Sequence, residues 1–297
     1  MEHQTRIWMG ALLVAMAAGM LFLDQFLAGW YPFLLLVILS LALAACVELL
    51  NLLRAIERPS TWFCLLGVAL ILLSNWPAHL SFFIPGSVWF DQNPWNWVLG
   101  TFTLVALSAF LVEMALYREP GGAVLRVSLT LLVIAYLGLL PSFVIQLRWG
   151  KEATQGGTDF REVAPLALAI FVPKCCDIGA YFTGKLIGRH PMTPRLSPKK
   201  TWEGLAGGLT AAVLTTLAIN RLWPVLWGGD LAAVGFGVTV GLAGVLGDLA
   251  ESLIKRDCRQ KDAAQTVPGF GGVLDVIDSI LFAAPVAYWW LRYQPSG

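Results

Sequence analysis

Nine apolar stretches recur along this chain, at roughly residues 7–23, 31–53, 60–75, 96–117, 123–147, 163–187, 203–222, 231–254 and 277–293. Most approach the ~20 residues that a helix needs to cross the hydrocarbon of a bilayer. The expected fold class is therefore all-α: a polytopic integral membrane protein with about nine transmembrane helices. The third and ninth stretches are short, and the sixth carries Lys174 and Asp177 inside it. The first follows Arg6 and contains small residues, as a cleaved signal peptide would. A second apolar run begins almost at once, which favours a retained signal-anchor helix. Composition agrees, with 57% hydrophobic and only 13% charged residues, against about a quarter charged in soluble domains. A net charge of +1 leaves no basic domain to cover a nucleic-acid backbone, so nucleic acid is excluded as a partner. The cysteines lack zinc-site spacing and read as small buried hydrophobes.

Basic residues set the orientation. With the N-terminus in the cytoplasm, Arg6, Arg54, Arg58, Arg118, Arg126, Lys185, Arg189, Arg195, Lys199, Lys200, Lys255, Arg256, Arg259 and Lys261 all lie inside, 14 of the 20 Lys and Arg. Arg148, Lys151, Arg161, Arg221 and Arg292, 5 in all, lie outside. The loop from Trp76 to Trp97 has no Lys or Arg and is rich in Trp and Phe, as expected of an external segment at headgroup level. Two domains are expected. Residues 1–122 offer N-terminal transmembrane helices with only hydrophobicity to read. Residues 123–297 add two charged loops, both cytoplasmic in this topology.

The later loop runs from Gly247 to Ser279. Charge at a membrane boundary is costly and usually functional. Asp248, Glu251, Ser252 and Lys255 step by three and four, so a helix places them on one face. Asp275 and Asp278 do the same. Between them Pro268-Gly269-Phe270-Gly271-Gly272 makes a turn whose bare backbone can approach a phosphate closely. Asp248, Asp275 and Asp278 come from the end of one helix and the start of the next, so they can converge. Hard oxygen donors without His or Cys suit Mg²⁺. The competing interpretation is a salt-bridge cluster with Lys255, Arg256 and Arg259.

The earlier loop runs from Lys174 to Gly204. Ser197-Pro198 is expected to start a helix, Ser as N-cap and Pro at the first helical position. Lys199 and Lys200 then fall in a first turn, where two cations oppose the dipole unless an anion is bound. Ordinary positive-inside flanking charge is the competing explanation. Asp177, inside a span, is expected to line a site, against the alternative of an ion pair with Lys174. Gly179, Gly184 and Gly188 recur at intervals suited to close helix packing.

Both loops resemble the signature of phosphatidate cytidylyltransferases, also called CDP-diacylglycerol synthases. The matching residues are Ser252, Lys255-Arg256, Lys261-Asp262, Pro268-Gly269, Gly271-Gly272, Asp275 and Asp278-Ser279, with Asp177, Gly179-Ala180-Tyr181 and Ser197 through Gly204 upstream. Phe270 stands where the family usually has His, and Val276 where it has Arg. The resemblance implies transfer of a cytidylyl group from CTP to phosphatidate, giving CDP-diacylglycerol and pyrophosphate, with Mg²⁺ as cofactor. The catalytic residues implied are Asp248, Ser252, Lys255, Arg256, Asp275 and Asp278. Ser197, Lys199, Lys200, Thr201, Lys261, Gly271 and Gly272 would hold substrate, and Asp248, Asp275, Asp278 and Asp177 the metal. The expected setting is the cell inner membrane, with the active site on the cytoplasmic side and a homodimer as assembly. Because the matched acids are kept, an active enzyme is expected despite the two departures. The alternatives are a CTP-dependent lipid or polyprenol kinase, a transporter or channel, and a non-catalytic family member.

Overall fold

The computed structural model describes residues 19, 23–24, 31–80, 93–118, 120–149, 163–261, 263–264, 266 and 271–293. The first apolar stretch lies almost wholly outside the described residues, as do most of the aromatic loop, Asp262, Pro268, Gly269 and Phe270.

Apolar backbone in lipid must satisfy its own hydrogen bonds, and helices do so within one segment. Among the described residues the helices are α1 (Pro32–Leu53), α2 (Thr61–Leu73), α3 (Pro77–Leu80), α4 (Pro94–Leu116), α5 (Ala123–Ile134), α6 (Leu140–Gln146), α7 (Ala164–Ile187), α8 (Trp202–Leu222), α9 (Gly229–Asp257) and α10 (Val273–Arg292). A π-helical turn, Ala135–Leu139, joins α5 to α6. Among the described residues seven spans are long and apolar enough to cross a membrane, counting α5 through α6 as one. Eight of the nine apolar stretches coincide with helices. The remaining apolar stretch of these eight forms α2, which has 13 residues, about 20 Å at 1.5 Å per residue, short of the ~30 Å hydrocarbon. The count of nine spans is therefore not established.

The chain forms two units, Met1–Gln146 with Cys258–Val276, and Leu147–Asp257 with Ile277–Gly297. The boundary falls twice inside the charged C-terminal segment, the second time within α10. In the first unit α2 packs on α1, α4, α5 and the π-turn. Its interior is apolar, built from residues such as Leu49, Val68, Ile71, Ile134 and Ile145. It also holds a satisfied polar cluster: the Asn75 amide donates to Ser142 Oγ at 3.0 Å and accepts from Gln146 Nε2 at 2.8 Å. Helix α4 leaves most of its apolar surface exposed, as a lipid-facing helix would. Its apolar window is only 22% buried, so most of its hydrophobic surface has no protein cover.

In the second unit α7, α8 and α9 pack in succession. Small residues let α7 and α8 approach closely. A Cβ on Gly179 would lie 2.6 Å from Ala211 Cβ, and one on Gly208 would lie 2.7 Å from Cys176 O. Gly244 on α9 sits as tightly against Pro173 of α7. Between α7 and α8 a short antiparallel hairpin pairs β1 (Pro191–Thr193) with β2 (Ser197–Thr201).

That hairpin corrects one expectation. Ser197-Pro198 does not start a helix but opens strand β2, and α8 begins at Trp202. Proline is tolerated there because both strands of a two-stranded sheet are edges. The cap is Thr201, whose Oγ1 accepts the Gly204 N–H at 3.1 Å. Its β-branched side chain suits the extended backbone that an N-cap requires.

Candidate functional site

Helix α9 carries Asp248, Glu251, Ser252 and Lys255 on one face, as their spacing requires. Lys255 Nζ meets Glu251 Oε2 at 2.8 Å, and both are buried. The buried carboxylate of Asp278, one and a half turns into α10, comes to the same place. Asp248, Glu251 and Asp278 each offer an oxygen within 4.8 Å of the others.

Two lysines reach this acidic group. Lys200 Nζ lies 2.7 Å from Asp248 Oδ2. Lys174 Nζ stands 3.6 Å from both Asp278 Oδ1 and Asp177 Oδ2. Asp177 thus joins the cluster through an ion pair one turn away while also lining the adjacent cavity. Four carboxylates (Asp177, Asp248, Glu251, Asp278) face three ammonium groups (Lys174, Lys200, Lys255). Close acids that outnumber their ammonium partners by one, with hard oxygen donors, fit a divalent cation.

Next to the acids a cavity of about 210 Å³ is lined by Asp177, Tyr181, Lys199, Lys200, Thr201 and Asp248, among others. The hairpin delivers both lysines to its wall from strand β2, not from a helical first turn. Arg256 Nε donates to Leu196 O at 3.3 Å, tying the tip of the hairpin to α9. Ser252 is buried one turn from Asp248, with 3.5 Å between its Oγ and Asp248 Oδ1. Ser197 occupies the start of β2.

Lys261, Gly271, Gly272 and Asp275 belong to the first unit. Lys261 is exposed. Gly271 has φ 102, a conformation that glycine adopts without strain. Asp275 Oδ2 accepts the Gly272 N–H at 2.6 Å. This is the capping-box return contact, from the third helical residue to the N-cap amide. The next two amides of α10 are held by Glu48 of α1, so a phosphate at this turn would have to use other donors.

Sequence reasoning assigned no role to Glu251, although it lies on the predicted face, nor to Lys174 as the partner of Asp278. It passed over Glu48 altogether. An acid inside an apolar span is the signal that could have found it.

The profile of the cytidylyltransferase family matches residues 4–294, nearly the whole chain. The chain belongs to the cytidylyltransferase family. Within it, the chain is 35% identical over 206 residues to phosphatidate cytidylyltransferase 5, chloroplastic, of Arabidopsis thaliana, covering 63% of this chain and 51% of that protein. A Mycobacterium tuberculosis phosphatidate cytidylyltransferase is 37% identical over 181 residues, covering 60% and 51% of the two chains. The Synechocystis phosphatidate cytidylyltransferase is 31% identical over 202 residues, covering 62% and 68%. The chain spans about half the length of most of these curated relatives. Family membership fits an integral membrane protein, and the apolar helices agree with it.

Proposed function

We propose that this chain transfers the cytidylyl group of CTP to phosphatidate at the cytoplasmic face of the cell inner membrane, giving CDP-diacylglycerol and pyrophosphate. The observation that carries the reading is the convergence of Asp248, Glu251 and Asp278 beside a cavity walled by Lys199 and Lys200. Family membership and relatives that bear the name of this activity support it. The excess of basic residues in the predicted cytoplasmic loops supports the orientation.

An oxygen of the phosphatidate phosphomonoester attacks the α-phosphorus of CTP. The bond from that phosphorus to the bridging oxygen breaks, and the electron pair leaves with pyrophosphate. The phosphomonoester is already ionised, so no strong general base is needed. Mg²⁺ held by Asp248, Glu251 and Asp278 would neutralise phosphate charge when bound. Lys199 and Lys200 hold phosphate oxygens from the cavity wall. Lys174 and Lys255 hold Asp278 and Glu251 in place and limit repulsion among the acids. Among the described residues no histidine is recorded against Ser252, which serves as a polar contact and not as a nucleophile.

Purified protein given phosphatidate, Mg²⁺ and CTP labelled at the α- or the γ-phosphate tests this. Label from the α position should enter lipid. Label entering only from the γ position means a kinase, and no transfer of either means a non-catalytic member.

A further inference from the structure

Helix α10 begins with backbone N–H groups that look for acceptors, as every helix start does. Asp275 meets one of them from within the helix. The next two are met by Glu48, 225 residues away from Val273 in the chain. Glu48 Oε1 accepts the Val273 N–H at 3.0 Å, and Oε2 accepts the Leu274 N–H at 2.9 Å. The Thr266 hydroxyl donates to Oε1 as well. Glu48 is only 4% exposed. A carboxylate buried on an apolar helix is costly unless donors surround it. Here three do, two of them at the positive end of a helix dipole. The glycine turn makes room, because a Cβ on Gly272 would lie 2.5 Å from Glu48 Oε2.

We infer that Glu48 is a positioning residue for the reaction: it caps α10 from the N-terminal helices and so fixes the first turn of the helix that carries Asp278. The inference rests on the proposed reading of Asp278 as a metal donor. Asp278 is four residues beyond Leu274, about one turn on. Fraying of the capped turn therefore reaches Asp278 directly. This gives the N-terminal half of the chain a task in the chemistry, although among the described residues that half contributes none to the acidic group.

The test compares full-length wild type with E48A, G272S and E48A/G272S, purified in detergent with lipid. Two readouts are independent of turnover. One is amide hydrogen exchange across residues 272–278. The other is the Mg²⁺ concentration giving half the maximal shift in melting temperature, with Mg²⁺ as the only addition. E48A should speed exchange at Val273 and Leu274 and raise the Mg²⁺ midpoint about tenfold, the scale of a lost outer-shell support. G272S should do likewise, because its Cβ meets the Glu48 carboxylate. In E48A/G272S the serine occupies the vacated space and caps the helix itself, so the midpoint should return to within about threefold of wild type. Where E48A does not fold, E48Q keeps the size and one acceptor and should move both readouts in the same direction. An unchanged Mg²⁺ midpoint in E48A or E48Q would overturn the positioning role, even if exchange rose. A double variant no better than its parents would overturn capping as the means. Wild type that melts identically with and without Mg²⁺ would remove the metal site and the inference with it. Wild type that binds Mg²⁺ with a midpoint that E48A raises, but transfers no cytidylyl group, would support the inference and sink the proposed reaction instead.

Discussion

Glu251→Gln separates the two jobs that Glu251 performs in this structure. Glu251 is 1% exposed, pairs with Lys255 at 2.8 Å, and shares the acidic group with Asp248 and Asp278. Removing its charge leaves the largely buried Lys255 ammonium opposite a neutral amide. Breaking one side of a buried pair costs about 3–5 kcal/mol of stability. Losing one of three carboxylates should also weaken Mg²⁺ and cut turnover about 100-fold, or about 2.7 kcal/mol at 1.36 kcal/mol per tenfold. The two effects come apart in a cycle with Lys255→Met. The double variant E251Q/K255M carries neither charge and should regain stability to within about 1 kcal/mol of wild type. Its Mg²⁺ midpoint, read from melting curves, should stay raised by about tenfold or more. K255M alone removes a competing cation, so its midpoint should equal that of wild type or fall below it. If E251Q, alone and in the double variant, kept a Mg²⁺ midpoint within about twofold of wild type, Glu251 would be only the partner of Lys255. The metal reading of the acidic group would then fail.

Asp278→Asn should lower turnover at least ~100-fold while the protein still inserts and folds; near wild-type turnover at saturating Mg²⁺ would count against the site. Gly208→Ala should destabilise by roughly 1–3 kcal/mol, because the added carbon meets Cys176 O at 2.7 Å. Gly100→Ala, with open space around it, should be neutral or slightly stabilising, and equal melting temperatures for the two variants would refute the close-packing account. In a cysteine-free background, Gln260→Cys and Met192→Cys should label only from the cytoplasm and Gln92→Cys only from outside, and labelling of Gln260→Cys and Gln92→Cys from one side would reject the orientation. Phe270→His with Val276→Arg should change rate or lipid preference by no more than ~10–100-fold, since positioning and electrostatics carry most of the catalysis. Inactive wild type rescued by that pair would show the two departures to be essential.

Much of this was legible beforehand, and particular residues show why. The face Asp248–Glu251–Ser252–Lys255 follows from helical spacing, a local property, and α9 presents it as predicted. Asp275 and Asp278 also share a helix, yet spacing could not say that Asp275 turns back to the Gly272 amide while Asp278 joins the acids. Local signals misled at Ser197-Pro198. The pair has the chemistry of a helix start, but β1 lies beside it to pair with, and Thr201 four residues later is the better cap.

That the chain is a bundle of membrane helices follows from its long apolar runs, which leave helices as the way to satisfy backbone hydrogen bonds in lipid. The sequence also marks which charged segments matter, because charge is too costly near a bilayer to be placed there idly. Which carboxylates converge depends on how the helices pack. Glu251 joins Asp248 and Asp278 because α9 and α10 meet at that level. Lys199 and Lys200 face a cavity because a hairpin, not a helix, carries them. Glu48 caps a helix 225 residues away. No periodicity reports such a contact, since its two partners are far apart in the sequence and meet only in the fold.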